Sequence, residues 1–235
     1  ISLEGVQTAP MGLAFSYLVY VFHIWNDTKN LEQASLAQRL AGLEGALRCG
    51  LGVKRRGVLA AWGKHAAHLE SPHTMYDAEE VYGLDGLYPP SSSSVMIMRI
   101  SYHSRLSLRD FVASPAARAA GVEHLELNPH EWWEELPKYR FLMSPVGSAI
   151  QAAKTVEALM VLTVPIVQRR KFSVHLELMA LGFPLVVVHL WTEVTPNATR
   201  EWWRRLSPRL ESFRRNCLTV DGYWRMFTGQ VSRCT

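Results

Sequence analysis

The sequence predicts an α/β fold, a parallel β-sheet with helices on both faces. Short apolar runs alternate with amphipathic segments, the pattern that strands joined by helical crossovers produce. The run Phe183–Val188 is almost wholly apolar, as strands covered on both faces are. With 48% hydrophobic residues in a chain of 235, there is enough apolar material for a substantial core.

The first apolar stretch, Val6–Trp25, has no charged residue and approaches the ~20 residues that a membrane helix needs. Its densest part, Phe15–Phe22, is aromatic and β-branched, which favours a buried strand. A membrane-spanning or membrane-surface segment is the alternative, and it would make the protein membrane-associated.

Next come a helix, a short element and a linker. Leucines at helical spacing predict a helix that ends at the glycines Gly50 and Gly52. Those leucines are Leu36, Leu40, Leu43 and Leu47. Gly57–His68 predicts a short strand or helix. Residues 70–94 are rich in Pro, Gly, Ser and acidic residues and predict a linker. We therefore divide the chain into an N-terminal part, 1–94, and a lobe, 95–235.

The lobe alternates between strand and helix. The predicted strands are Val95–Tyr102, Val122–Leu127, Arg140–Met143, Val164–Val167 and Phe183–Val188. The predicted helices are Ser107–Ala120, one that starts at Asn128-Pro129, Ser148–Val161, one through Trp202 and Leu206, and one around Tyr223 and Phe227. This alternation predicts a Rossmann-like parallel sheet.

Composition argues against two classes of function. The formal net charge is only +4 and the basic runs are short, so binding to nucleic acid is not expected. The cysteines, Cys49, Cys217 and Cys234, lie far apart without a C-x-x-C pair, which predicts neither a metal site nor a disulfide framework. Two N-x-T sequons, at Asn26 and Asn197, carry meaning only in a secreted chain.

The candidate site is the turn between a strand and a helix in the stretch Arg140–Met160, RFLMSPVGSAIQAAKTVEALM. In a parallel sheet, ligands collect at the carboxyl ends of the strands, where helix N-termini point unpaired N–H groups at them. Gly147 can take a backbone conformation that other residues avoid, and Ser144 and Ser148 offer hydroxyls. Such a turn favours an anion.

On the predicted helix, Lys154 and Glu157 share one face with Ile150. The opposite, core-facing stripe is Ala149, Ala152, Val156 and Leu159. A cation near the helix start can hold a diphosphate, and a carboxylate one turn later can hold a ribose hydroxyl. The alternative from spacing alone is a solvated ion pair between the two side chains, worth roughly 0.2–0.5 kcal/mol.

The stretch Tyr139–Val167, YRFLMSPVGSAIQAAKTVEALMVLTVPIV, resembles without a gap the C-terminal lobe of exostosin-type glycosyltransferases. The resemblance extends over about Val95–Phe227 and includes FPLVVVHLWTEVT, Phe183–Thr195. That family has two Rossmann-like lobes in a GT-B arrangement and transfers a sugar from a nucleotide-sugar donor. The resemblance implies such a donor and no other cofactor, and the Golgi or endoplasmic reticulum lumen as the compartment of an active transferase.

Carried over position by position, the resemblance assigns donor binding to five residues. They are Ser144, Gly147, Ser148, Lys154 and Glu157, with Glu157 at the place of the family's ribose-binding glutamate. The sequence departs from the family's pattern at several polar positions. Ala153 stands where the family has histidine, and Lys154 where it has arginine. No residue is identified as the catalytic base.

Paired tryptophans predict a surface for a protein partner. Trp132-Trp133 and Trp202-Trp203 lie on predicted helices, and adjacent side chains on a helix cannot both face one core. We therefore expect one member of each pair to face a groove or a protein partner, and a glycan-binding surface is the alternative.

Two functions follow from these observations. The first is a glycosyltransferase of the exostosin type that uses a nucleotide-sugar donor. The second is a non-catalytic descendant, a pseudoenzyme that serves as an accessory subunit of a larger, membrane-bound assembly. In that case its contacts would be the tryptophan pairs and the apolar segment Val6–Trp25.

Overall fold

A computed structural model of the chain describes residues 41–62, 93–127, 129–147, 152–169 and 173–235. The expectations for Val6–Trp25, for Ser148 and for most of the linker fall outside the described residues.

Five strands form one all-parallel sheet. They are β1 (Arg56–Ala60), β2 (Val122–His124), β3 (Tyr139–Ser144), β4 (Val164–Gln168) and β5 (Val186–Val188), in the order β2-β1-β3-β4-β5 across the sheet. The predicted Rossmann-like parallel sheet is confirmed. Strand β1 lies in the N-terminal part, 1–94, and pairs with both β2 and β3 of the lobe. The N-terminal part therefore contributes a strand to the same sheet as the lobe.

Helices connect the strands. They are α1 (41–47), α2 (Ser93–Val112), α3 (Pro115–Ala119), α4 (Pro129–Glu135), α5 (Ala153–Met160), α6 (Val174–Ala180), α7 (Pro196–Cys217) and α8 (Val220–Phe227). Short 3-10 turns are Leu51–Val53, Leu136–Lys138 and Trp191–Glu193. None of the helices in the described ranges is long and apolar enough to cross a membrane.

The sheet separates two cores because side chains alternate between its faces. On one face, Val58 of β1 and Phe141 of β3 pack with residues of α2 and α7. On the other face, Leu59 and Leu142 pack with residues of α1, α4 and α5. Helices therefore cover both faces, as the sequence predicted.

Helix α2 shows that the prediction of a strand at Val95–Tyr102 is wrong. The buried side chains Ser101, Ser104, Leu108 and Phe111 fall on one side of a continuous helix. Two of the four are serines, so a search for apolar residues alone misses the helical period.

Helix α5 also begins later than predicted. Its first residue is Ala153 rather than Ser148, because Ala152 before it has an extended backbone, with φ −83° and ψ 137°. The chain therefore does not turn directly from β3 into the helix.

The C-terminal tail carries a disulfide that the sequence did not predict. Cys217 at the end of α7 is bonded to Cys234, and both are buried in the core beneath α7. The backbone N–H of Cys234 donates to the carbonyl oxygen of Leu181 at 2.8 Å, which docks the tail on the turn after α6. Spacing in the sequence cannot show that the tail folds back in this way. Cys49 is a free thiol.

The docked tail requires glycine at position 182. Gly182 has φ +105°, and a Cβ atom there would lie 2.0 Å from the carbonyl oxygen of Cys234. We expect Gly182→Ala to lower the free energy of unfolding by more than about 2 kcal/mol, measured by urea denaturation, because backbone strain and a clash add.

The matched control is Gly45→Ala in α1, where an added Cβ meets nothing within 4 Å. This change should leave stability unaltered or raise it by up to about 1 kcal/mol, since alanine favours a helix. Equal stability of Gly182→Ala and the wild-type protein would contradict the docking of the tail.

Candidate functional site

The predicted turn lies at the point where the strand connections diverge. Strands β1 and β3 are neighbours, with Ala60 level with Met143, yet β1 leads outward to β2 and β3 leads the other way to β4. In sheets with this strand order, ligands bind at the carboxyl ends of the strands on either side of such a switch. The loop that follows Ser144 therefore has the right position for a ligand site.

The hydroxyl of Ser144 is already engaged. Ser144 is buried, and its Oγ shares a hydrogen bond of 3.3 Å with Oγ1 of Thr155 in the first turn of α5. This contact ties the end of β3 to the helix. Burial of Ser144 also leaves its hydroxyl little access to a ligand.

Gly147 is half-buried beside a cation that the sequence analysis missed. A Cβ atom at Gly147 would lie 3.9 Å from Nη2 of Arg105 and 4.0 Å from Cβ of Ala152. Arg105 comes from α2, and its Nε donates to the carbonyl oxygen of Val146 at 3.3 Å. An arginine of α2 thus reaches the loop after β3.

Two serines hold α2 against this loop. Ser101 Oγ donates to the carbonyl oxygen of Val146 at 2.9 Å, and the N–H of Val146 donates to Ser104 Oγ at 3.3 Å. The signal for this helix was present in the sequence as S-x-x-S-R. The apolar run Val95–Tyr102, which favours a strand, masks this pattern.

Lys154 lies in the first turn of α5 and is partly buried. Its Nζ donates to the carbonyl oxygen of Ala61, just after β1, at 3.2 Å, and lies 4.6 Å from the ring centre of Trp132. Burial lowers the pKa of Lys154 to about 8, with a smaller lowering from Arg105 and an opposing effect from Glu157. Lys154 therefore links β1 to α5 across the switch.

Glu157 is buried, with 1% of its surface exposed. Its Oε2 accepts a hydrogen bond of 2.9 Å from Nε1 of Trp132. Of the predicted core stripe, Val156 and Leu159 are buried, Ala152 is half-buried and Ala149 lies outside the described residues. The alternative of a solvated pair between Lys154 and Glu157 is wrong, since Glu157 is buried. Both pack against one indole instead.

The expectation for the first tryptophan pair is wrong. Trp132 and Trp133 are each only 3% exposed, so neither presents a surface to a partner. Two different helices bury them: α5 covers Trp132, and α1 approaches Trp133, where a Cβ on Gly42 would lie 3.8 Å from the tryptophan Cβ. Trp132 and Trp133 nevertheless belong to one core, because helices on two sides close around the adjacent side chains.

The second pair is half-buried. Trp202 and Trp203 both contact the ring of Phe141 edge-on, with ring centres 6.3 and 5.8 Å apart. The guanidinium of Arg140 lies 5.6 Å from the ring centre of Trp203. Each tryptophan thus keeps an accessible part, and its role as a partner surface stays a prediction.

An aromatic stack lies at the ends of β1 and β2. The rings of Trp62 and His124 are nearly parallel, with centres 4.4 Å apart. Because Trp62 directly follows Ala61, this stack lies next to the residue that binds Lys154. Sequence reasoning did not identify it, since the two residues meet only through the pairing of β1 with β2.

Together, Arg105, Gly147 and Lys154 define what we call the switch-point site. It brings two cations to a loop that leads into a helix N-terminus, and the residue before that helix offers no side-chain cap. Within the described part of the chain, no group of three or more potential metal-ligating side chains occurs. The chemistry that these residues favour is the binding of an anion.

No protein-family model matches the chain, and no curated protein is significantly similar to it.

The lowered pKa of Lys154 predicts a pH-dependent contribution to stability. Between pH ~8 and ~10.5 the unfolded chain keeps this proton while the folded chain loses it, so stability rises with pH there. We expect Lys154→Met to lose stability relative to wild type, by up to about 3 kcal/mol, as pH increases from 7 to 10. Urea denaturation at both pH values measures this difference.

Lys138→Met provides the control, because the Lys138 side chain is 47% exposed and its removal takes the same charge from the surface. Its stability difference from wild type should change much less over this interval. A Lys154→Met difference that is the same at both pH values would show that the ammonium is not desolvated.

Proposed function

We propose that the chain is a glycosyltransferase-like protein that binds the diphosphate of a nucleotide-sugar donor at the switch-point site. The observation that carries the proposal is that Arg105 lies beside Gly147 and is close enough to Lys154 to lower the pKa of its ammonium. A diphosphate carries the negative charge that would offset their mutual repulsion.

Lys154 is suited to this role by its surroundings. An ammonium has three donors, and the described residues supply Nζ with one hydrogen bond, to Ala61. Phosphate oxygens are strong acceptors for the others. A bound anion would also favour the charged form and so raise the pKa of Lys154 again.

The neighbouring groups fit the rest of such a donor. The N-terminus of α5 contributes backbone N–H groups and a favourable dipole. Trp62 offers an aromatic surface one strand away, where a nucleobase would stack. No residue is assigned as the catalytic base.

One observation favours the second candidate, a non-catalytic descendant that serves as an accessory subunit. Glu157, which the resemblance assigns to a ribose hydroxyl, is buried and accepts the N–H of Trp132. To bind a ribose, this buried carboxylate would have to become accessible. A protein that keeps Arg105 and Lys154 but has no residue to hold the ribose would bind anions without transferring a sugar from a nucleotide-sugar donor.

Binding of nucleoside diphosphates tests the proposal. We expect uridine or guanosine diphosphate to raise the melting temperature of the whole chain, since a ligand at 100 times its Kd adds ~2.7 kcal/mol of stability. Lys154→Met and Arg105→Gln should each weaken binding at least ~10-fold, because each removes a charge-assisted hydrogen bond. Affinity should also fall as pH rises above about 8, where Lys154 loses its proton.

Lys138→Met and Arg118→Gln are the controls, since Lys138 and Arg118 are exposed residues outside the site. They should bind like wild type. Absence of a shift with every nucleoside diphosphate would refute the proposal. If nucleoside diphosphates bind but the protein releases none from any nucleotide sugar, the accessory subunit remains as the proposed function.

A further inference from the structure

The disulfide indicates the compartment in which the chain folds. Cys217 and Cys234 are 17 residues apart and buried at 0% and 6% exposure. Disulfides of this structural kind form and persist in oxidising environments, such as the secretory pathway. In that setting an accessible N-x-T sequon becomes a site of glycosylation.

The sequon Asn197-Ala198-Thr199 lies at the start of α7 and is accessible. Thr195 caps the helix, its Oγ1 accepting the N–H of Ala198 at 3.2 Å. Asn197 is exposed, and its Oδ1 accepts a hydrogen bond from Arg200 Nη2. The amide nitrogen Nδ2, to which a glycan is attached, has no hydrogen-bond partner in the described residues.

The surroundings of Asn197 accommodate a large hydrophilic group. The nearby residues Arg200, Glu201 and Arg204 are exposed, and Glu201 forms an ion pair with Arg204 on the helix surface. The tryptophans of α7 pack towards β3 instead, as the contacts of Trp203 with Phe141 show. A glycan on Asn197 would therefore extend from a polar surface without displacing a packed side chain.

We propose that Asn197 carries an N-linked glycan. The co-reactant is an oligosaccharide attached to a lipid diphosphate. Nδ2 forms a bond to C1 of the first sugar, the bond from C1 to the phosphate oxygen breaks, and Nδ2 gives up one proton. The lipid diphosphate leaves with the electron pair of the broken bond. This inference does not depend on the proposed binding of nucleotide sugars.

The test is made on the whole chain isolated from its native cells. We expect treatment with peptide N-glycosidase to increase its mobility on a denaturing gel and to convert Asn197 to Asp, which mass spectrometry of the peptide detects. Non-reduced digests should contain the peptide pair joined through Cys217 and Cys234.

Variants expressed in eukaryotic cells assign the site. Asn197→Gln and Thr199→Val should abolish the glycan at position 197, whereas Thr199→Ser, which keeps the hydroxyl of the sequon, should retain it. Asn26→Gln separates the contribution of the other sequon. An unmodified Asn197 peptide in the native chain, glycan at Asn26 alone, or free thiols at both cysteines would each overturn the proposal.

Discussion

The indole of Trp132 determines how helix α5 lies on the sheet. Its ring lies 4.6 Å from the ammonium of Lys154, and its N–H binds the carboxylate of Glu157. Burying an ammonium and a carboxylate costs free energy unless each gains a polar contact. The side chain of Trp132 supplies one such contact to each of them. The hydrogen bond between Ser144 and Thr155 joins α5 to the end of β3 as well.

In the described part of the chain, the buried Lys54 and the partly buried Lys154 have different surroundings. Lys54, at the amino-terminal edge of the sheet, is 4% exposed and donates to Thr163 Oγ1 at 2.7 Å; burial lowers its pKa to about 7. The hydroxyl of Thr163 also lies 3.0 Å from the carbonyl oxygen of Tyr139, so Lys54 belongs to a network that joins β3 and β4. Lys154 lies at the opposite edge, beside a loop and a second cation. Lys54 therefore joins neighbouring strands, whereas Lys154 links β1 to α5 at the edge where we propose that an anion binds.

Sequence patterns reveal helices and strands whose buried side chains are apolar and regularly spaced. They do not reveal contacts between segments that are distant in the sequence. The apolar runs predict the bounds of β3 and β4 to within one residue at each end, since each strand is buried on both faces. Arg105 could not be placed at the site because its helix buries serines, which periodicity of apolar residues does not detect. The burial of Glu157 was equally hidden, since it depends on Trp132 reaching across from another helix.

The bond between Cys217 and Cys234 closes a covalent ring that contains the whole of α8. Within that ring, Val220 and Trp224 are strongly exposed, at 91% and 63%. A protease that cleaves one peptide bond at either residue opens the ring without dividing the molecule. The two pieces would migrate together on a non-reducing gel and separate only after reductant is added, so limited proteolysis of this region reads out the bond directly.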